Sequence, residues 1–248
     1  MSPVEYIDPY SELAPAYDYI LQGVDYQGWY AYIKKVMHRY VEKPRLVIEL
    51  GCGTGRFGAK FSADNYTIYG MDLSLDMVRV AKARAFKNFR AFCGDIRQFS
   101  LAQTPDFIFA VHDTMNYFLD MKDVQKAIRM VRENMGDDTV FMFDITTEYN
   151  MQRNFHGQTT GYEVRGRKVE WANRYDPGER LMVSTLRFFN NDGTCREENH
   201  YQRIFTVSEI KEALRRERME ILALTGDFTF EEPVDETVMI NFIVRKKK

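Results

Sequence analysis

The chain has 248 residues, room for one or two domains with a substantial core, and its 45% hydrophobic and 28% charged residues are those of an ordinary globular protein. Its 36 acidic and 34 basic residues leave a formal net charge of −2, which argues against a protein whose main task is to coat nucleic acid or an anionic membrane. The longest purely apolar run, residues 107–111, is five residues, far short of the ~20 needed to span a bilayer.

The N-terminus lacks the basic and apolar regions of a secretory signal, and Cys52, Cys93 and Cys195 are spaced for neither a disulfide framework nor a zinc site. A cytoplasmic protein without a metal is expected. Pro3, Pro9 and Pro15 break the aromatic, acidic start, so residues 6–19 should be irregular or short-helical. Tyr26, Tyr30, Ile33, Met37 and Tyr40 then lay one apolar stripe along a helix that Pro44 closes. Leu46, Val47 and Ile48 carry no polar alternation, as expected of a strand buried on both faces. Strands at residues 66–71, 89–92, 107–111 and 140–145 follow, interleaved with helices that Ser74 and Asp120 can cap. Such alternation predicts a parallel sheet with helices on both faces.

The pattern changes after Asp144. Residues 162–175, 180–189 and 194–205 read as strands separated by Asp176-Pro177-Gly178 and Asn190-Asn191-Asp192-Gly193, which predicts an antiparallel insertion. Thr206-x-x-Glu209 is a capping box for a further helix, and strands at 219–224 and 237–244 complete the main sheet. Lys246 to Lys248 read as a solvated end. The expected division is an N-terminal lid (1–43), a core (44–146 and 206–248) and a β insertion (147–205).

Glu49-Leu50-Gly51-Cys52-Gly53-Thr54-Gly55 follows the first buried strand and precedes a helix, where open α/β sheets bind ligands. The overlapping Gly53-Thr54-Gly55-Arg56-Phe57-Gly58 also spells a dinucleotide fingerprint, with Asp72 19 residues beyond Gly53. That fingerprint begins two residues late for a strand ending near Glu49. A carboxylate at Glu49 would also repel a pyrophosphate and attract an α-ammonium. Asp95, after the third strand, is placed to accept a hydrogen bond from an adenine amine.

With Gly70-Met71-Asp72-Leu73-Ser74, Gly94-Asp95-Ile96-Arg97 and Asp113-Thr114-Met115-Asn116-Tyr117, these segments resemble the class I S-adenosylmethionine-dependent methyltransferases over residues 45–145. Tyr10-x-x-x-Ala14-x-x-Tyr17-Asp18 and Tyr26-x-x-Trp29 look like the arm of a bacterial small-molecule subgroup that also carries an insertion after strand five. The resemblance implies an α/β, Rossmann-like seven-stranded, mostly parallel sheet with a small antiparallel β insertion. It implies S-adenosyl-L-methionine as cofactor, S-adenosyl-L-homocysteine as product and in-line transfer to a small-molecule acceptor, an amine preferred over a hydroxyl.

By the same resemblance, Gly51, Gly53 and Gly55 line the methionine moiety with Glu49. Asp72 with Leu73 and Met77 holds the ribose side, and Asp95 with Ile96 frames the adenine. Tyr10, Tyr17, Tyr26 and Trp29 can pack over the cofactor, with Tyr17 nearest the methyl. Asp113 either relays a proton or binds the ammonium. Asn116, Tyr117, Trp171 and His200 are the candidate acceptor contacts, whereas His112, His38 and His156 read as packing histidines. Motif and charge argue against nucleic acid as the substrate. Two other readings stay open: an NAD(P)-dependent oxidoreductase, in which Tyr30-x-x-x-Lys34 mimics a catalytic pair, and a non-catalytic assembly protein that keeps the cofactor pocket. The insertion either covers the site or pairs two subunits as a homodimer.

Overall fold

The computed structural model describes residues 4–247; Pro3 and Lys248 lie outside the described residues. In chain order the elements are β1 (Val4–Ile7), α1 (Tyr17–Ile20), α2 (Tyr26–Tyr40), β2 (Leu46–Leu50), α3 (Arg56–Ala63), β3 (Thr67–Asp72), α4 (Leu75–Arg84), β4 (Phe89–Cys93) and β5 (Phe107–Ala110). Then come a 3-10 turn (Thr114–Tyr117), α5 (Met121–Asn134), β6 (Val140–Thr146), and α6 (Glu148–Asn150), which runs into a π-helical turn (Met151–Phe155). The remainder is β7 (Thr159–Val164), β8 (Arg167–Asp176), β9 (Leu181–Phe189), β10 (Cys195–Arg203), α7 (Val207–Arg216), β11 (Met219–Gly226) and β12 (Met239–Lys246).

Seven strands form the main sheet in the order β11-β12-β6-β5-β2-β3-β4, parallel except where β12 meets β6 and β11. Both of its faces are covered. Phe57, Phe61 and Val78 of α3 and α4 join Ile33 and Met37 of α2 on one side; Val124 and Ile128 of α5 and Ile210 and Leu214 of α7 pack on the other. Each such side chain removed from water contributes roughly 1.5–3 kcal/mol, so this core outweighs any single polar contact. The expected caps form: Ser74 accepts from the Met77 N–H, Asp120 from Asp123, and Thr206 with Glu209 closes the capping box. Strand order reverses between β2 and β5, which leaves a crevice at the carboxyl ends of the strands. No helix among the described residues is long and apolar enough to cross a membrane.

The insertion differs from expectation in two ways. Residues 162–175 are not one strand but the hairpin β7/β8, which turns at Arg165-Gly166 with φ of 53° and 77°. A two-residue turn of this kind needs φ > 0 at both positions, and Arg in place of Asn or Asp hid the signal. The second sheet also has five strands, β1-β10-β9-β8-β7, because the N-terminal Val4–Ile7 adds in parallel to β10. The arm is therefore built into the insertion at its start and helical only at α1.

Candidate active site

The crevice at the β2/β5 reversal holds a cavity of about 600 Å³, walled by the glycine-rich loop, the ends of β3 and β5, and the N-terminal arm. Gly53 has φ of +51° and no atom within 4 Å of where a Cβ would stand, so its backbone opens on the cavity. Gly51 also lines it, while a Cβ on Gly51 would lie 2.4 Å from Thr114 Oγ1. Gly55, expected beside them, does not line the cavity. It caps α3 at φ +76° with its face against Phe89, so its smallness serves helix packing and not the ligand.

At one end of the cavity stand a buried carboxyl and a half-buried guanidinium, each with an unused atom. Glu49 is 2% exposed, Oε2 has no hydrogen-bond partner, and burial pushes its carboxyl well above the usual range. Arg56 lies 3.9 Å over the Tyr26 ring with one terminal nitrogen buried and unbonded, 3.9 Å from Asp18 Oδ1. An unused oxygen on a buried carboxyl and an unused donor on a guanidinium suit a ligand carrying both an ammonium and a carboxylate.

Along the β3 wall, Asp72 Oδ2 accepts from the Gly53 N–H at 2.7 Å and Oδ1 from the Ser74 N–H at 2.9 Å, while burial raises its pKa. Each oxygen keeps accepting capacity for a diol. Leu73, Met77 and Ile96 supply apolar wall beside it. Asp95 reaches the wall, but Arg97 grips both of its oxygens through Nε at 3.1 Å and holds the carboxyl below the usual range. Asp95 is thus a shared acceptor and not the free one that the sequence suggested.

Beside the charged end the cavity wall is aromatic, beginning with the Tyr26 ring under Arg56. Tyr17 Oη lies 3.3 Å and Tyr26 Oη 3.4 Å from His112 Nδ1, and the Tyr10 hydroxyl donates to that of Tyr117. All four phenols are pushed up by burial, Tyr26 to about 12, and burial together with Arg56 lowers His112 to about 4. At neutral pH these five rings carry no charge. His112 is therefore a cavity residue, contrary to its reading as packing, whereas His38 and His156 are bonded to Tyr66 Oη and the Tyr175 N–H away from it.

Several expected contacts fall outside the cavity lining. Trp29 stacks on Phe228 at 4.3 Å, behind His112. Asp113 turns its side chain out of the cavity, with Oδ1 buried and unpartnered; burial raises it to about 6. Asn116 is buried, donating to the Arg203 carbonyl and accepting from the Thr146 N–H. Trp171 packs under the arm and donates to Asn173, and His200 is buried against Glu198 with its ring edge-on to Tyr10. Arg56 and His112 are the residues that sequence reasoning missed. Their positions, just after the last glycine and just after the β5 run, were the available signals.

A methyltransferase domain family matches residues 47–138. An uncharacterized methyltransferase of Bacillus mycoides (strain KBAB4) is 31% identical over 159 residues, 59% of this chain and 75% of that protein. The chain belongs to the class I S-adenosylmethionine-dependent methyltransferases. In fold, this methyltransferase matches the crystal structure of an S-adenosylmethionine-dependent methyltransferase from Clostridium acetobutylicum ATCC 824, with a TM-score of 0.80 at 23% identity over 96% of this chain and 99% of that one. It also matches a sugar N-methyltransferase from Streptoalloteichus sp ATCC 53650, with a TM-score of 0.76 at 17% identity over 94% and 93% of the chains. S-adenosyl-L-methionine is the cofactor, which sets aside the NAD(P) reading; Tyr30 and Lys34 both bond Asp64 on the outside of α2. The assembly-protein reading falls with it, since the family is enzymatic.

Proposed function

We propose that this enzyme transfers the methyl group of S-adenosyl-L-methionine to the nitrogen of a small-molecule amine. The carrying observation is the cavity wall of uncharged rings: Tyr10, Tyr17, Tyr26, Tyr117 and His112. An aliphatic hydroxyl must lose its proton as it attacks, and a side chain serves best as base when its pKa lies near the working pH. The phenols sit too high and His112, at about 4, too low for that task. A free amine already carries its lone pair and needs only to be held uncharged at near-attack distance with water excluded. The likeness in fold to a sugar N-methyltransferase supports the same reading.

When bound, the cofactor supplies an electrophilic sulfonium methyl. The chain's own groups would do the rest. Glu49 and Arg56 take the ammonium and carboxylate of the methionine end, Gly51 and Gly53 lie along it, Asp72 holds the ribose diol, and Ile96 with Asp95 borders the adenine. Tyr10 and Tyr17 roof the reaction zone, and His112 accepts a hydrogen bond from the amine. Of the expected lid, residues 4–24 then serve as the cover, α2 belonging instead to the core layer, and 147–205 serves as its support.

The test is methyl transfer from labelled cofactor to paired acceptors, amino sugars and small amines against their hydroxyl counterparts. Transfer to amines is expected, rising with pH as the free base grows. Transfer to the hydroxyl member of each pair and not the amine would sink the proposal.

A further inference from the structure

Glu198 on β10 is fully buried, yet it does not line the cavity and, among the described residues, pairs with no arginine or lysine. Its two oxygens collect the arm. Oε2 accepts from the Tyr10 N–H at 2.9 Å, and Oε1 accepts from Glu12 at 2.5 Å and Leu13 at 3.0 Å. His200 Nε2 lies 3.1 Å from Oε2. A buried carboxylate is tolerated only when its lone pairs are used, and successive N–H groups of a turn form an anion-binding nest. Here the nest belongs to the arm and the anion to the insertion, which reverses the usual roles of fold and ligand. Tyr10 has φ of 70°, which turns the backbone N–H groups inward while its phenol reaches Tyr117 across the cavity. The His200 ring stands edge-on to Tyr10 at 4.7 Å and limits where that phenol can go.

Around this point lie weaker ties. Glu12 bonds Arg167 of β8 and Arg196 of β10, each at 2.6 Å, and Leu13, Ala16 and Ile20 pack on Val169, Leu186 and Phe188. At the far end of the arm, Asp18 accepts from Thr54 Oγ1 of the glycine-rich loop at 2.7 Å. The arm is thus strung between the insertion and the cofactor loop, over the cavity.

We propose that Glu198 is a positioning residue: through it the insertion sets Tyr10 and Tyr17 over the cavity, so that cofactor retention depends on a carboxylate that touches neither cofactor nor acceptor. This rests on the cavity being the cofactor site. The insertion then is the support of the cover more than the cover itself.

Glu198→Gln keeps shape but replaces one accepting oxygen with an NH2 that faces backbone donors. The variant is compared with the wild type by calorimetry with S-adenosyl-L-homocysteine, by chymotryptic cleavage within residues 6–26 and by thermal melting. The expected result is a cooperatively folded variant that binds S-adenosyl-L-homocysteine about tenfold more weakly and is cleaved faster in that segment, in line with the loss of charge-assisted hydrogen bonds. A lower melting temperature with unchanged affinity and unchanged cleavage would make Glu198 merely structural and overturn the proposal. If Glu198→Gln does not fold, Glu12→Gln loosens the same segment from outside; about threefold weaker binding is expected from exposed or half-buried ion pairs, and no change in affinity or cleavage would overturn it. Failure of the wild type to bind S-adenosyl-L-homocysteine would instead refute the cofactor site itself.

Discussion

The hydroxyl of Tyr17, on the N-terminal arm, lies 3.3 Å from Nδ1 of His112, 95 residues later at the end of β5. His112 and Asp113 both have φ of 63°, a left-handed conformation that costs non-glycine residues roughly 1–2 kcal/mol each. The buried carboxylate of Asp144 offsets this by accepting both of their N–H groups, at 2.8 and 3.0 Å. Strain held in place by a dedicated partner is typical of working sites. The effect is to aim the His112 ring at the arm and to send the Asp113 side chain elsewhere.

Removing the hydroxyl alone probes that relationship. Tyr17→Phe keeps the ring and loses one hydrogen bond, so kcat for amine methylation should fall about threefold to tenfold while affinity for S-adenosyl-L-homocysteine stays within about twofold. Initial rates and calorimetry on the same preparation check this. An unchanged kcat would place Tyr17 outside the reaction zone.

Asp72 supports the loop and, in our proposal, the ribose. Asp72→Ala leaves the N–H groups of Gly53 and Ser74 without their acceptor as well as the diol, so cofactor affinity should drop by at least about tenfold. Full affinity in this variant would refute the ribose assignment.

The loop glycines should separate by readout. A Cβ on Gly55 meets Phe89 Cε1 at 2.8 Å and Ala81 Cβ at 3.0 Å, at φ +76°. Gly55→Ala is therefore expected to cost about 2–4 kcal/mol of stability, from backbone strain plus overpacking. Gly53→Ala meets no neighbour and should cost only about 1–2 kcal/mol, but its methyl enters the cavity and weakens cofactor binding. Denaturant melts and calorimetry of the pair distinguish the two effects.

His112 also makes a pH prediction. Its folded pKa of about 4 lies below the ordinary ~6.5, so the unfolded chain takes up a proton first as the solution is acidified. Its contribution to stability is full above pH ~6.5 and is lost as pH falls toward 4, by no more than about 2 kcal/mol at pH 5. That figure is an upper bound because the ring edge reaches the cavity. Asp113, raised to about 6, acts in the opposite sense: it stabilises most below its ordinary ~3.8 and that gain is lost as pH rises through 6. Total slopes therefore partly cancel, and the diagnostic is the difference between wild type and His112→Phe. The variant should lose less melting temperature between pH 7 and 5 than the wild type; equal losses would contradict a depressed His112.

Much of this molecule could be read in advance, and the failures have particular causes. Ser74, Asp120 and Thr206 with Glu209 act locally, within one helical turn, so their capping was legible. Trp171, His200 and Asn116 suit acceptor contacts by residue type alone. The fold spends all three on tertiary contacts: Trp171 on the arm, His200 on Glu198, and Asn116 on Arg203 and Thr146. Asp113 and His112 are neighbours, and choosing between them required the backbone angles that Asp144 imposes.

By itself the amino-acid sequence determined the alternation of strands and helices, the glycine-rich loop after the first buried strand, and the acids at successive strand ends. Those features rest on periodicity, capping and turn chemistry, which act over a few residues. Only the tertiary structure decided that Val4–Ile7 completes the insertion sheet, that Arg56 and Glu49 leave unused atoms at one end of the cavity, and that Glu198 gathers the arm from 185 or more positions away. Such contacts depend on which surfaces meet once the core has closed, and no local rule carries that information.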